Sequence, residues 1–313
     1  MPSRETRVKL RNAIRGDQAT EEIFNLIYET TGNTYYVSSL SGTSSNDGLS
    51  VAEALATLDQ AMAKCEPTQG DVVILMPGHN EGSSAAATWD IDVAGVSVVG
   101  LGRGPSRPRF DFDNAAASID IGANGCTLKN VTLLPSITDV LVGVDVEAGV
   151  TDTLIEDVEA LPGEDGAGAD DFALTVDVKA GCTRTTVRRL KVRQHASGAG
   201  YIAGVRLTGA SDDCLIEDCD IDILGAGVTA CIENTGTLST KLRIRGCTLV
   251  TDAEPGISVV TQTTGVIEDT NIFSDLATID AATVADLMAH FNVRYVEVGN
   301  EAGTLVKTES ADD

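Results

Sequence analysis

Aromatic residues are scarce, with one Trp, five Tyr and six Phe in 313 residues. A chain so poor in rings lacks the stacking surfaces with which proteins line long sugar-binding grooves. Histidine is rarer, and His79, His195 and His290 show no spacing that would bring them to one metal ion. Cations are also few: 22 Lys plus Arg face 47 Asp plus Glu, a formal charge of −25. That field repels phosphate backbones and anionic lipids, so neither nucleic acid nor a membrane is an expected partner. No apolar run nears the length that spans a bilayer. The opening Met1-Pro2-Ser3-Arg4-Glu5 lacks the apolar core of a signal peptide, so assembly in a cytoplasm is expected. The seven cysteines are odd in number and form no paired metal spacing. Cys126, Cys182, Cys214, Cys219, Cys231 and Cys247 fall at or beside apolar positions and read as buried thiols, so no metal or cofactor is expected.

What the chain does have is glycine, 31 residues of it, together with abundant Val, Ile and Thr, the composition of a β-rich protein with tight corners. Residues 1–33 form a basic leader. Arg4, Arg7, Lys9, Arg11 and Arg15 precede an apolar helical pattern through Ile23, Phe24, Ile27 and Tyr28, which fits an anchoring arm for an acidic surface. After Tyr35-Tyr36-Val37 and a Ser/Gly/Asn-rich loop, Ser50-Val51-Ala52-Glu53 has the form of a capping box. It predicts a capping helix with Ala54, Leu55, Leu58, Ala61 and Met62 on one face. Val72 to Met76 then reads as a buried strand stopped by Pro77-Gly78.

From residue 91 the sequence repeats itself. An apolar–charged–apolar segment recurs at Ile91, Ile119, Val144, Val176 and Val205, then more loosely at Ile232 and Val259, at intervals of 25 to 32 residues. A second apolar position follows each, at Val98, Leu128, Ile155, Val187, Ile216, Ile244 and Ile267, with a partner three residues later. Two strands per coil, keeping register over many coils, predict an all-β right-handed parallel β-helix, because each coil buries its inward side chains only on its neighbours. After the second apolar position stand Lys129, Glu156, Arg188, Glu217, Arg245 and Glu268, so the sign reverses at every step. With coils about 4.8 Å apart, that is the favoured order for an inter-coil charge ladder. The boundaries expected are an arm over 1–33, an N-terminal cap over 34–90, coils over 91–275 and a C-terminal cap over 276–313. That last cap is read as a helix over 280–290, a hairpin and an acidic tail.

Tyr36-Val37-Ser38, Asn46-Asp47-Gly48, Gly70-Asp71-Val72-Val73 and Pro77-Gly78-His79-Asn80-Glu81 resemble the N-terminal cap of pectate-lyase-like β-helix proteins, especially those in virions of tailed bacteriophages. The resemblance spans about residues 34–275 and is more specific for fold than for function, since the family holds lyases, glycosidases, tailspikes and inert capsid proteins. Its enzymes direct attention to Asp92, Asp120, Asp145 and Asp177, one outward carboxylate on each of four coils, which could bind Ca²⁺ or serve as the acid and base of a glycosidase. The nearest basic residue in that column is Arg206, a whole coil beyond Asp177, which leaves a lyase without its base. The acidic insertion Gly163 to Asp171 matches no EF-hand loop and reads as a surface loop. The expectation is therefore a non-enzymatic virion protein, a homotrimeric capsid decoration or cement protein docked on the major capsid protein or another virion protein through its arm. A tailspike or fibre that binds or depolymerises host polysaccharide is the alternative.

Overall fold

The computed structural model describes residues 32–83, 89–163, 170–193, 201–225, 227–235, 239–251, 255–260, 263–274, 287–290 and 294–297. The basic arm with Arg4, Arg7, Lys9, Arg11 and Arg15, most of the acidic insertion, His195 and the acidic tail lie outside the described residues.

The chain is an all-β parallel solenoid that winds through three sheets, with ten, nine and seven strands among the described residues, called here the first, second and third sheet. One coil passes along Leu154–Glu156 in the first sheet, Glu159–Ala160 in the second and Phe172–Lys179 in the third. It then returns to the first at Thr186–Arg188. Val98, Leu128, Ile155, Val187, Ile216, Ile244 and Ile267 stand in register down the first sheet. Ile155, Val187, Ile216 and Ile244 are buried against one another in a single core running along the stack. Each such side chain contributes roughly 1.5–3 kcal/mol, and the coils above and below supply much of that burial.

The second sheet is a departure from the two strands per coil read in the sequence. Asn130, Asp157, Arg189, Asp218, Gly246 and Asp269 all have positive φ, between 43° and 66°. This single left-handed residue turns the chain from the first sheet to the second, so an apolar pair three residues apart serves two strands. Asn, Asp and Gly tolerate that conformation; Arg189 does not favour it and is held there by a fork of hydrogen bonds to Asp157, Nε–Oδ1 2.6 Å and Nη2–Oδ2 2.9 Å. A second corner leads back to the first sheet through glycines such as Gly149 and Gly181, at φ 80° and 82°.

The predicted capping helix from Ser50 does not form. Ser50 Oγ accepts from the Glu53 N–H at 3.3 Å, yet the segment doubles back along the first strand. The Tyr36 N–H donates to Gly48 O and the Leu55 N–H to Tyr36 O, because Leu55 is needed to close the end of the core. Of this segment Leu58–Met62 alone is helical, capped by Thr57, with Leu58, Ala61 and Met62 buried. Beyond the expected end of the coils, Leu287–His290 and Arg294–Glu297 are strands. They pair in parallel with Gly265–Glu268 and Asn271–Ser274; the first replaces the end of the predicted helix, and the second falls where the first strand of the hairpin was expected, the rest of that hairpin lying outside the described residues. Each extends its sheet by one coil and becomes its outermost described strand.

Carboxylates tie the cap together. Asp71 is fully buried and accepts from the backbone N–H of Asn33 at 2.6 Å and of Glu66 at 2.8 Å. Glu81 accepts from the Leu58 N–H at 3.0 Å and from Trp89 Nε1 at 3.1 Å, and lies 3.1 Å from His79 Nε2. His79 Nδ1 in turn accepts from the Ser39 N–H, which leaves Nε2 to donate to Glu81. The Pro77-Gly78-His79-Asn80-Glu81 motif is therefore a latch.

Candidate functional site

The third sheet carries the carboxylate column on its outer face. Asp90, Asp120, Asp145 and Asp177 lie in register on four successive strands, followed by Arg206, Glu233 and Ser258. Asp92 is not a member; the strand is Trp89–Ile91, and Asp90 takes the place read for Asp92. Trp89-Asp90-Ile91-Asp92-Val93 alternates throughout, so a slip of two residues keeps every apolar side chain inward and leaves no trace in the pattern. The same slip occurs at the last coil, where Ile257 rather than Val259 pairs with Ile232.

Burial pushes the Asp120, Asp145 and Asp177 carboxyls up, Asp145 to about 6. One oxygen of Asp120 and one of Asp145 are buried with no hydrogen-bond partner. Asp177 accepts from Thr208 Oγ1 at 2.7 Å. The sequence reading overlooked Lys179. It lies on the face of Asp177, two residues along the same strand, and its Nζ reaches Asp145 at 2.7 Å and Glu147 at 3.0 Å. The signal was the period of two, which places residues i and i+2 on one side. Burial alone would lower the Lys179 ammonium, but its hydrogen bonds to Asp145 and Glu147 outweigh that and hold it above the usual lysine range. A lysine so held is a weak proton acceptor. Arg206 is engaged with Glu233, Nε–Oε2 2.7 Å. Among the described residues no three His, Cys, Asp or Glu side chains converge to hold a metal ion. Trp89, Phe110, Phe112, Phe172 and Tyr201 are all turned into the core, Trp89 edge-on to Phe110 and Phe112 at 5.0 and 5.1 Å, so none offers a platform to a sugar.

The first and second sheets present a different surface. Glu156 is flanked by Lys129 at 3.0 Å from the coil before and by Arg188 at 2.6 Å from the coil after, and Arg189 joins them. Burial pushes the Glu156 carboxyl up, while hydrogen bonds from Lys129, Arg189 and Arg188 together hold it below the usual range. Arg188 aligns with Glu217, Glu217 with Arg245 at 2.5 Å, and Arg245 with Glu268. The alternation extends along the first- and second-sheet stretches of successive coils. Residues 151–160 carry only acids, 183–193 only bases, 212–222 only acids, 240–250 only bases and 264–274 only acids. The rings are joined by Arg184–Asp152, Arg189–Asp157, Lys191–Glu159, Arg193–Asp220, Lys241–Asp212 and Arg243–Asp213.

Solved structures similar to this chain include two lyases. A rhamnogalacturonan lyase matches with a TM-score of 0.57 and 14% identity, covering 78% of this chain and 69% of its own. The pectate lyase Pel9A matches with a TM-score of 0.51 and 15% identity, covering 84% of this chain and 78% of its own. The likeness is one of fold. No protein-family model and no curated protein sequence matches the chain.

Proposed function

We propose that this parallel β-helix is a non-enzymatic structural protein of a tailed-bacteriophage virion, a homotrimeric capsid decoration protein docked on the head through residues 1–33. The observation that carries the reading is the use of its outer charges. On the first and second sheets they are matched coil to coil, and on the third the one lysine beside the carboxylates is held as an ammonium, while the coil aromatics fill the core. Such a surface stiffens a rod and offers little to a glycan. The resemblance of the cap to phage virion proteins supplies the setting. Reversing Arg4, Arg7, Lys9, Arg11 and Arg15 to Glu should abolish co-sedimentation with phage particles and leave the β circular-dichroism spectrum intact; retained co-sedimentation would remove the docking role.

A polysaccharide-binding or polysaccharide-cleaving tailspike is the second reading, favoured by the stacked Asp120, Asp145 and Asp177 with Lys179 close by. It requires turnover or retention of a glycan that Asp120→Asn or Asp145→Asn abolishes, and inertness across a panel of host surface polysaccharides would exclude it.

A further inference from the structure

Seven thiols are buried in this chain, and one pair differs from the rest. Asp220 and Thr248 are partners on adjacent coils of the second sheet, and the Thr248 N–H donates to Cys219 O at 2.8 Å. Cys219 and Cys247, one residue earlier on each strand, therefore stand directly over one another, 1% and 0% exposed, in the same core. The other cysteines face different neighbours. The register sets Cys126 beside Thr153, Cys214 beside Thr185 and Cys231 beside Gly204. Cys182 falls between Val150 and Ser211, and Cys65 lies in the cap.

We propose that Cys219 and Cys247 are an oxidisable dithiol that closes into a disulfide joining two coils. Stacked residues about 4.8 Å apart at Cα lie inside the window a disulfide requires, so rotation about the two Cα–Cβ bonds, with a small shift, brings the sulfurs together. A hydrogen bond links the two thiols. A hydrogen bond from Cys219 lowers the Cys247 thiol, and the same bond with burial raises Cys219, which marks Cys247 as the nucleophile. With hydrogen peroxide as oxidant, the Cys247 thiolate attacks one peroxide oxygen, the O–O bond breaks, and hydroxide leaves to be protonated to water. Cys219 then loses its proton and displaces the second oxygen as water. Two thiols and one peroxide thus give one disulfide and two waters. Both sulfurs are out of solvent, so the reaction runs through local opening of the coils beyond Thr248, the kind of opening that solenoids permit.

The test is a non-reduced peptide map of the full chain after exposure to peroxide, with free thiols alkylated under denaturing conditions. One linkage, Cys219 to Cys247, is expected, with the remaining cysteines alkylated and the thermal midpoint raised until dithiothreitol reverses it. Full alkylation of both residues, or linkage of any other pair, would overturn the proposal. Two variants separate the roles: Cys219→Ser should accumulate a dimedone adduct on Cys247, whereas Cys247→Ser should give none on Cys219. The map of the unaltered chain decides the matter even if a variant fails to fold.

Discussion

Deleting residues 186–214 removes one coil and leaves every remaining strand in register, because Thr186 and Leu215 hold the same position on adjacent coils. The new junction sets Glu156 against Glu217 and Glu159 against Asp220, acid upon acid. Deleting residues 186–242 removes two coils, since Leu215 is aligned in turn with Arg243, and sets Glu156 against Arg245. On core burial alone the shorter deletion should be the more stable, having lost one coil instead of two. The charge rings reverse that order. The native junction holds Arg188 and Arg189 on Glu156, Arg189 on Asp157 and Lys191 on Glu159. At roughly 0.2–1 kcal/mol for each half-exposed pair and about 1.5–3 kcal/mol for each charge-assisted bond to the nearly buried Glu156, these contribute about 3–8 kcal/mol. Like charges in their place forfeit that and add repulsion, a large fraction of the roughly 5–15 kcal/mol that holds a domain folded. Urea unfolding followed by circular dichroism, at low and high sodium chloride, reads the difference. The one-coil deletion should have the lower midpoint at low salt, and added salt should narrow the gap as repulsion is screened. A one-coil deletion that is the more stable at low salt, with a gap indifferent to salt, would refute a role for the rings in setting register.

Other perturbations test single groups. Asp145, lifted to about 6 from an ordinary 3.8, favours the fold fully below the ordinary value and loses that contribution as pH rises through about 6. The whole effect is about 3 kcal/mol. Asp145→Asn should therefore raise the thermal midpoint at pH 8 and leave it unchanged at pH 4, and equal shifts at both would contradict the burial argument. Glu156 is held low, so its contribution is present above the ordinary carboxyl range and lost as pH falls through the lowered value. Glu156→Gln should flatten the acid limb of the stability curve. Glu81→Ala strands donors on Leu58, Trp89 and His79 and should cost about 3–5 kcal/mol in urea. Emission from the single Trp would shift to the red; an unchanged spectrum would show the latch to be dispensable.

The solenoid was legible because its inward columns recur at one register, and the first sheet could be followed from Val98 to Ile267 by apolar spacing alone. The second sheet was hidden by a one-residue corner: Arg188-Arg189-Leu190 reads as continuous strand unless the left-handed residue between sheets is recognised, and Asn130, Asp157 and Asp218 were its compositional trace. Asp90 was displaced by Asp92 because alternation is blind to a shift of two. Ser50 competed with Thr57 for the helix start, and tertiary demand for Leu55 decided in favour of Thr57. Lys179 needed only the parity rule, whereas the Glu81 latch joins residues 23 apart in sequence and had no local signature.

The alternating rings also shape what another molecule senses at a distance. Charges whose sign flips every coil interfere destructively, so their far field fades over a few ångströms, well inside the Debye length of about 10 Å at moderate salt. An approaching partner meets two electrostatically quiet sheets and one loud one, the third, where Asp90, Asp120, Asp145 and Asp177 add in phase, with Lys179 and Arg206 beside the last of them. Among the described coils, long-range steering is therefore the work of a single flank, a polarity about the stack that the net charge conceals.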